Sequence, residues 1–102
     1  MTVTTIRAYE RGDLPLDERL ASLARRFPCL ENAAGLDPWD GSSLLDWIGN
    51  RGQDDPAYHA GHLLLNLANH EGCPPFDVMQ AAKIWGEQDR QTFIDWLRVW
   101  RF

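Results

Sequence analysis

PAYHAGHLLLNLANHEG (residues 56–72) sets three histidines and two asparagines among leucines and alanines, and from Pro56 to His70 it contains no Asp, Glu, Lys or Arg. At about 100° per residue, His59, Asn66 and His70 share one side of a helix, with His62 and Asn69 beside them. Ala57, Ala60, Leu63, Leu64, Leu67 and Ala68 take the opposite side, and Tyr58 and Leu65 lie at the edge. Solvent faces of helices normally carry charged residues, which hydrate readily and favour helix. Histidine and asparagine in their place suit a face covered by protein, where uncharged polar groups find hydrogen bonds. The stretch therefore predicts a central helix from Pro56 to Glu71, ended at Gly72 and packed on most sides. Its cover is the chain's own loops and N-terminal arm, or a second subunit.

Working outward, Asp55-Pro56 is a cap-plus-proline start, and Asp37-Pro38 repeats it before a helix from Trp39 to about Asn50 with Leu44, Leu45 and Ile48 inward. LPLDERLASLARRF predicts an earlier helix over Pro15–Phe27, capped near Asp13 and striped by Leu16, Leu20, Leu23, Ala24 and Phe27. Pro74 and Pro75 turn the chain into PFDVMQAAKIWGE, with Val78, Ala81, Ala82 and Trp85 grouped on one side. Asp89 then caps RQTFIDWLRVWRF, whose Phe93, Trp96, Leu97 and Trp100 form an aromatic stripe. The expectation is an all-α fold: a compact bundle of about five helices with short loops, one domain over 1–102. Residues 1–12 form an arm or irregular segment, and the terminal WLRVWRF could plug the bundle.

Composition agrees with a globular chain: 102 residues, 44% apolar and 25% charged, which suffices for one hydrophobic core. Five tryptophans either anchor that core or crowd an interface. Net charge is −5 and unevenly spread. Residues 27–89 hold two bases against ten acids, whereas 90–102 hold three arginines against Asp95. The acidic middle repels phosphate, so a nucleic-acid partner is disfavoured. Two cysteines make no disulfide framework, the N-terminus lacks a signal peptide, and no apolar run spans a bilayer; the expectation is a cytoplasmic protein with no membrane partner.

Chemistry is sparse. His59-x-x-His62 and His70-x-x-Cys73 look like two zinc ligand pairs, but on one helix His59 and His70 stand about 16 Å apart along the axis, which no single metal bridges. His59 and His62 alone are half a metal site, needing Cys29 or a carboxylate to complete it. Cys73, upstream of a helix start, is the candidate reactive thiol. Ser42 and Ser43 lack a nucleophile elbow, and Asp37, Asp40, Asp54 and Asp55 have helix starts to serve. The Ala82…Gly86 spacing resembles a helix-turn-helix in two residues only, and the following helix is too apolar to read DNA.

No catalytic or cofactor-binding constellation emerges. The leading reading is a small interaction or accessory module without catalytic activity, self-associating (as a homodimer) or docking a protein partner. Its candidate contact residues are Trp47, Ile84, His59, His62, Asn66, Asn69 and His70. A metal- or thiol-dependent enzyme centred on His59 and His62 is the alternative, and a nucleic-acid-binding regulator the third.

Overall fold

The computed structural model describes residues 8–100. Five helices follow one another: α1 (Leu16–Ala24), α2 (Gly41–Gly49), α3 (Pro56–Leu67), α4 (Val78–Ile84) and α5 (Glu87–Val99), with single 3-10 turns at Ala8–Glu10 and Pro28–Leu30. Among the described residues there is no strand, only an isolated bridge between Leu36 and Trp39. The all-α bundle expected from the apolar spacing is what forms.

Helix α3 is its axis, packed by α1, α2, α4 and the Pro28–Leu30 turn. It starts as expected, with the Asp55 carboxylate accepting from the Ala57 amide at 2.9 Å and Pro56 at the first helical position. It stops earlier than expected. Asn69 adopts a left-handed backbone (φ 56°), the His70 amide donates to the Leu65 carbonyl at 3.0 Å, and the Asn69 amide to the Asn66 carbonyl at 3.1 Å. Those two bonds satisfy the last carbonyls of the helix, with asparagine where glycine is usual. His70 is therefore beyond the helix and does not extend the side that His59 occupies. Leu64 and Leu65 are both fully buried, although the helical projection set Leu65 on the polar edge.

The other helix starts show where local caps and tertiary packing compete. Asp40, not Asp37, caps α2, taking the Ser42 and Ser43 amides on Oδ1. Asp37 precedes a cis Pro38 and pairs with Arg25 instead. Helix α1 begins after Pro15 without a side-chain cap, while Asp13 pairs with Arg11 at 2.7 Å. Helix α5 begins at Glu87, so Asp89 lies inside its first turn; it is buried and accepts from the Cys29 amide at 3.3 Å.

The core is rich in rings. Trp85 lies 5.5 Å from Phe27, 5.8 Å from Phe76 and 5.4 Å from Phe93, centroid to centroid. Its Nε1 donates to the Pro56 carbonyl at 3.1 Å, tying the end of α4 to the start of α3. Trp96 is also buried, and Trp39, Trp47 and Trp100 are half-buried against the core. Tyr9, within the segment expected as an arm, is buried on α1, and its carbonyl accepts from the buried Arg19, whose guanidinium lies 4.0 Å over Trp100. Residues 1–7 of that arm, and Arg101 and Phe102 of the terminal plug, lie outside the described residues. The expected stripes need four corrections: Leu16, Val78, Ala82 and Leu97 are exposed. Leu16 and Val78 are the first residues of their helices, and Leu97 lies beside, not on, the buried Trp96 side of α5. Among the described residues no helix is long and apolar enough to cross a membrane.

Candidate functional site

Two surfaces emerge, one beside α3 and one on α5. The first is a cleft of about 190 Å³ beside α3, lined by Tyr58, His59 and His62, by Pro74 and Pro75, and by Asp77. Its lid is set by Asn66. The Asn66 Nδ2 donates to the His62 carbonyl at 2.7 Å and to the Pro74 carbonyl at 2.9 Å, with Cys73 Sγ at 3.5 Å. One side-chain amide thus holds the proline segment over the middle of the helix.

His59 and His62 are 4% and 5% exposed. The shielding expected of them is present, and it comes from this chain's own loops. Their chemistry differs. His59 Nε2 lies 2.7 Å from the Gln53 carbonyl oxygen, which can only accept, so Nε2 carries the hydrogen. The His62 ring makes no hydrogen bond to the described residues; its one close partner is the Tyr58 ring, edge-on at 4.2 Å. Burial, and secondarily the nearby His59, pushes the His62 imidazolium toward the neutral form. His62 is therefore a neutral donor–acceptor facing the cleft with its capacity unused.

The remaining sequence candidates separate. The cover expected over the whole polar side stops at the two histidines: Asn66 and Asn69 are exposed, the first as the loop staple and the second as the left-handed helix terminator. His70 is half-buried over Gly41, where an added Cβ would lie 2.6 Å from His70 Nδ1. Trp47 is half-buried beneath the Arg51 guanidinium at 3.8 Å, and Ile84 is half-buried too. Neither stands out as an exposed anchor. The Cys29 amide donates to the buried Asp89 at 3.3 Å. Among the described residues no group of three or more His, Cys, Asp or Glu is arranged to hold a metal. Cys73 Sγ donates to the Pro74 carbonyl at 3.2 Å, and burial raises its thiol above the ordinary range, which works against thiolate chemistry.

The second surface is the outward side of α5. Arg90, Ile94, Leu97 and Arg98 fall within a sector of about 100°, all exposed, with Ile94 44% and Leu97 59% open. Neither guanidinium forms an ion pair with the described residues. A shallow depression lined by Glu87, Arg90, Gln91 and Ile94 lies at the N-terminal end of this face. Apolar spacing alone missed it, because Leu97 was placed with the inward stripe; the arginines at 90 and 98, on Leu97's own side, were the usable signal. No protein-family model matches the chain, and no curated protein or solved structure is significantly similar to it.

Proposed function

We propose that the protein is a non-catalytic interaction module, and that its docking face is the outward side of α5. The observation that carries this reading is the pairing of Ile94 and Leu97 on adjacent turns, both in water, with Arg90 and Arg98 on the same side. One exposed alkyl group is ordinary. Two at helical spacing, flanked by guanidiniums that form no ion pair with the described residues, fit an amphipathic partner helix that brings apolar anchors and carboxylates. The guanidiniums would steer and orient such a helix, and the alkyl pair would supply the buried area. Duplex DNA fits less well, since it offers no groove for two aliphatic side chains and would meet an acidic body.

Selection from a displayed library of helical peptides tests it. The expected result is enrichment of sequences with acidic residues around apolar i, i+3 or i+4 anchors. Leu97→Asp should weaken the best of them by about thirtyfold or more, the scale of an interface hot spot, with an unchanged thermal midpoint. No enrichment, or binding indifferent to Ile94→Asp and Leu97→Asp, would overturn the reading. Binding of an unrelated DNA duplex in preference to any peptide would do the same.

A further inference from the structure

We propose that the cleft over His62 binds a protonated primary amine. The site lies away from the α5 face and does not depend on it. Three features converge. First, His62 is 5% exposed, lines the cleft and makes no hydrogen bond to the described residues. An imidazole with no hydrogen bond to the described residues offers an unused lone pair to whatever enters. Second, the lining contains one carboxylate, Asp77, and no lysine or arginine. Asp77 Oδ1 takes the Met79 and Gln80 amides at 3.0 and 3.1 Å, and its other oxygen accepts nothing from the described residues. Third, the walls are Pro74, Pro75 and the Tyr58 ring, which suit the alkyl part of a small cation.

Size is compatible with a small ligand: an open cleft of about 190 Å³ admits an ammonium on a short alkyl chain. An ammonium has three donors and no acceptor, the complement of a site lined by an imidazole that bonds none of the described residues, by the Asp77 carboxylate and by Gln80. A carboxylate or phosphate would face Asp77 without a compensating cation. A metal would need ligands that are not assembled here. The amine could belong to a free metabolite or to a lysine side chain, and the shared chemistry is the ammonium on an unbranched alkyl stem.

The test is an NMR titration of the full chain at about pH 8, where unburied histidine is neutral and an alkylamine is protonated. The probes are n-butylammonium chloride for a free amine, a blocked lysine tripeptide for a side chain, and sodium butyrate and zinc chloride as contrasts. Saturable shifts of the His62 and Tyr58 ring signals and the Gln80 amide with either amine support the proposal, and the tighter of the two assigns the source. Asp77→Asn separates binding from folding, because asparagine caps a helix about as well as aspartate. It should weaken amine binding at least about tenfold through loss of a charge-assisted contact while leaving the thermal midpoint in place. Equal shifts with butyrate, saturation by zinc alone, or an unaffected Asp77→Asn variant would each overturn it.

Discussion

Gly61 of α3 and Ile48 of α2 approach so closely that a Cβ on residue 61 would lie 2.7 Å from Ile48 Cγ2 and 3.1 Å from its Cδ1. Both residues are buried, and the missing side chain is what lets the two helices touch. Alanine at this position would gain about 1 kcal/mol of helix propensity, but inserting a methyl against a fully buried β-branched side chain costs about 1–3 kcal/mol. Gly61→Ala is therefore expected to lose up to ~2 kcal/mol in urea unfolding. In an Ile48→Ala background the sign should reverse, because the new methyl enters the vacated space and propensity dominates. Equal effects in both backgrounds would mean that the helices do not meet here.

The helix starts allow a paired comparison. Asp55 caps α3 and also pairs with Arg51 at 2.9 Å, whereas Asp37, which precedes a proline just as Asp55 does, caps nothing. Asp55→Ala should lower stability by about 1 kcal/mol, and Asp55→Asn by far less. Asp37→Ala removes only an exposed pair with Arg25, so its melting curve should overlay that of the parent. A larger loss at Asp37 than at Asp55 would reverse the assignment of the two caps.

The same contrast shows how far the sequence could be read. The proline-led start of α3 was legible because cap and proline act on their immediate neighbours. Asp37 carried the same local signal, but its backbone is a cis turn and its carboxylate answers Arg25; that choice is tertiary. The C-terminus of α3 misled in a similar way, since Gly72 marks a stop while Asn69 supplies the left-handed residue first. Shielding of His59 and His62 was legible from the missing charges. The cleft was not, because it depends on Asn66 reaching Pro74 and on the His59–Gln53 bond. On α5 the inward stripe read Leu97 as core; only the packing of the Trp96 side decides which edge of that stripe meets water.

A buried neutral imidazole makes stability fall with acid. The folded-state pKa of His62 lies below its ordinary 6.5 because burial, and then His59, disfavour the charged ring. Between the two values the unfolded chain holds more protons. Stability is therefore full above about pH 6.5 and declines as pH drops through that window, levelling once the folded form also protonates. His59 and Tyr58 on α3 and Asp77 at the start of α4 line the same cleft as this ring, and Asp77 is the one carboxylate in that lining. Asp40 and Asp55 have lowered pKa values, so their contributions are lost at more acid pH and do not fill the same window. Urea midpoints measured from about pH 7.5 to 5.5 should fall, and His62→Gln should flatten the fall. A parent curve already flat would show that the imidazole is solvated.

The two thiols should react at different rates. Burial raises the Cys29 thiol strongly, and the Asp89 carboxylate beside it raises it further, since a thiolate there would face a buried anion. Cys73 is raised by burial alone, and its sulfur sits on the loop that Asn66 holds in place. Thiolate is the reactive form, so iodoacetamide should label Cys73 first, with Cys29 slower by about tenfold or more. Asn66→Ala should speed Cys73 labelling by freeing the Cys73–Pro74 segment and leave Cys29 unchanged. Asp89→Asn should do the reverse, lowering the barrier to ionisation at Cys29 without touching Cys73. Peptide mapping by mass spectrometry reads both rates in one experiment. If Asn66→Ala accelerated both thiols alike, it would be loosening the whole bundle, and the local tether between α3 and the proline segment would have to be given up.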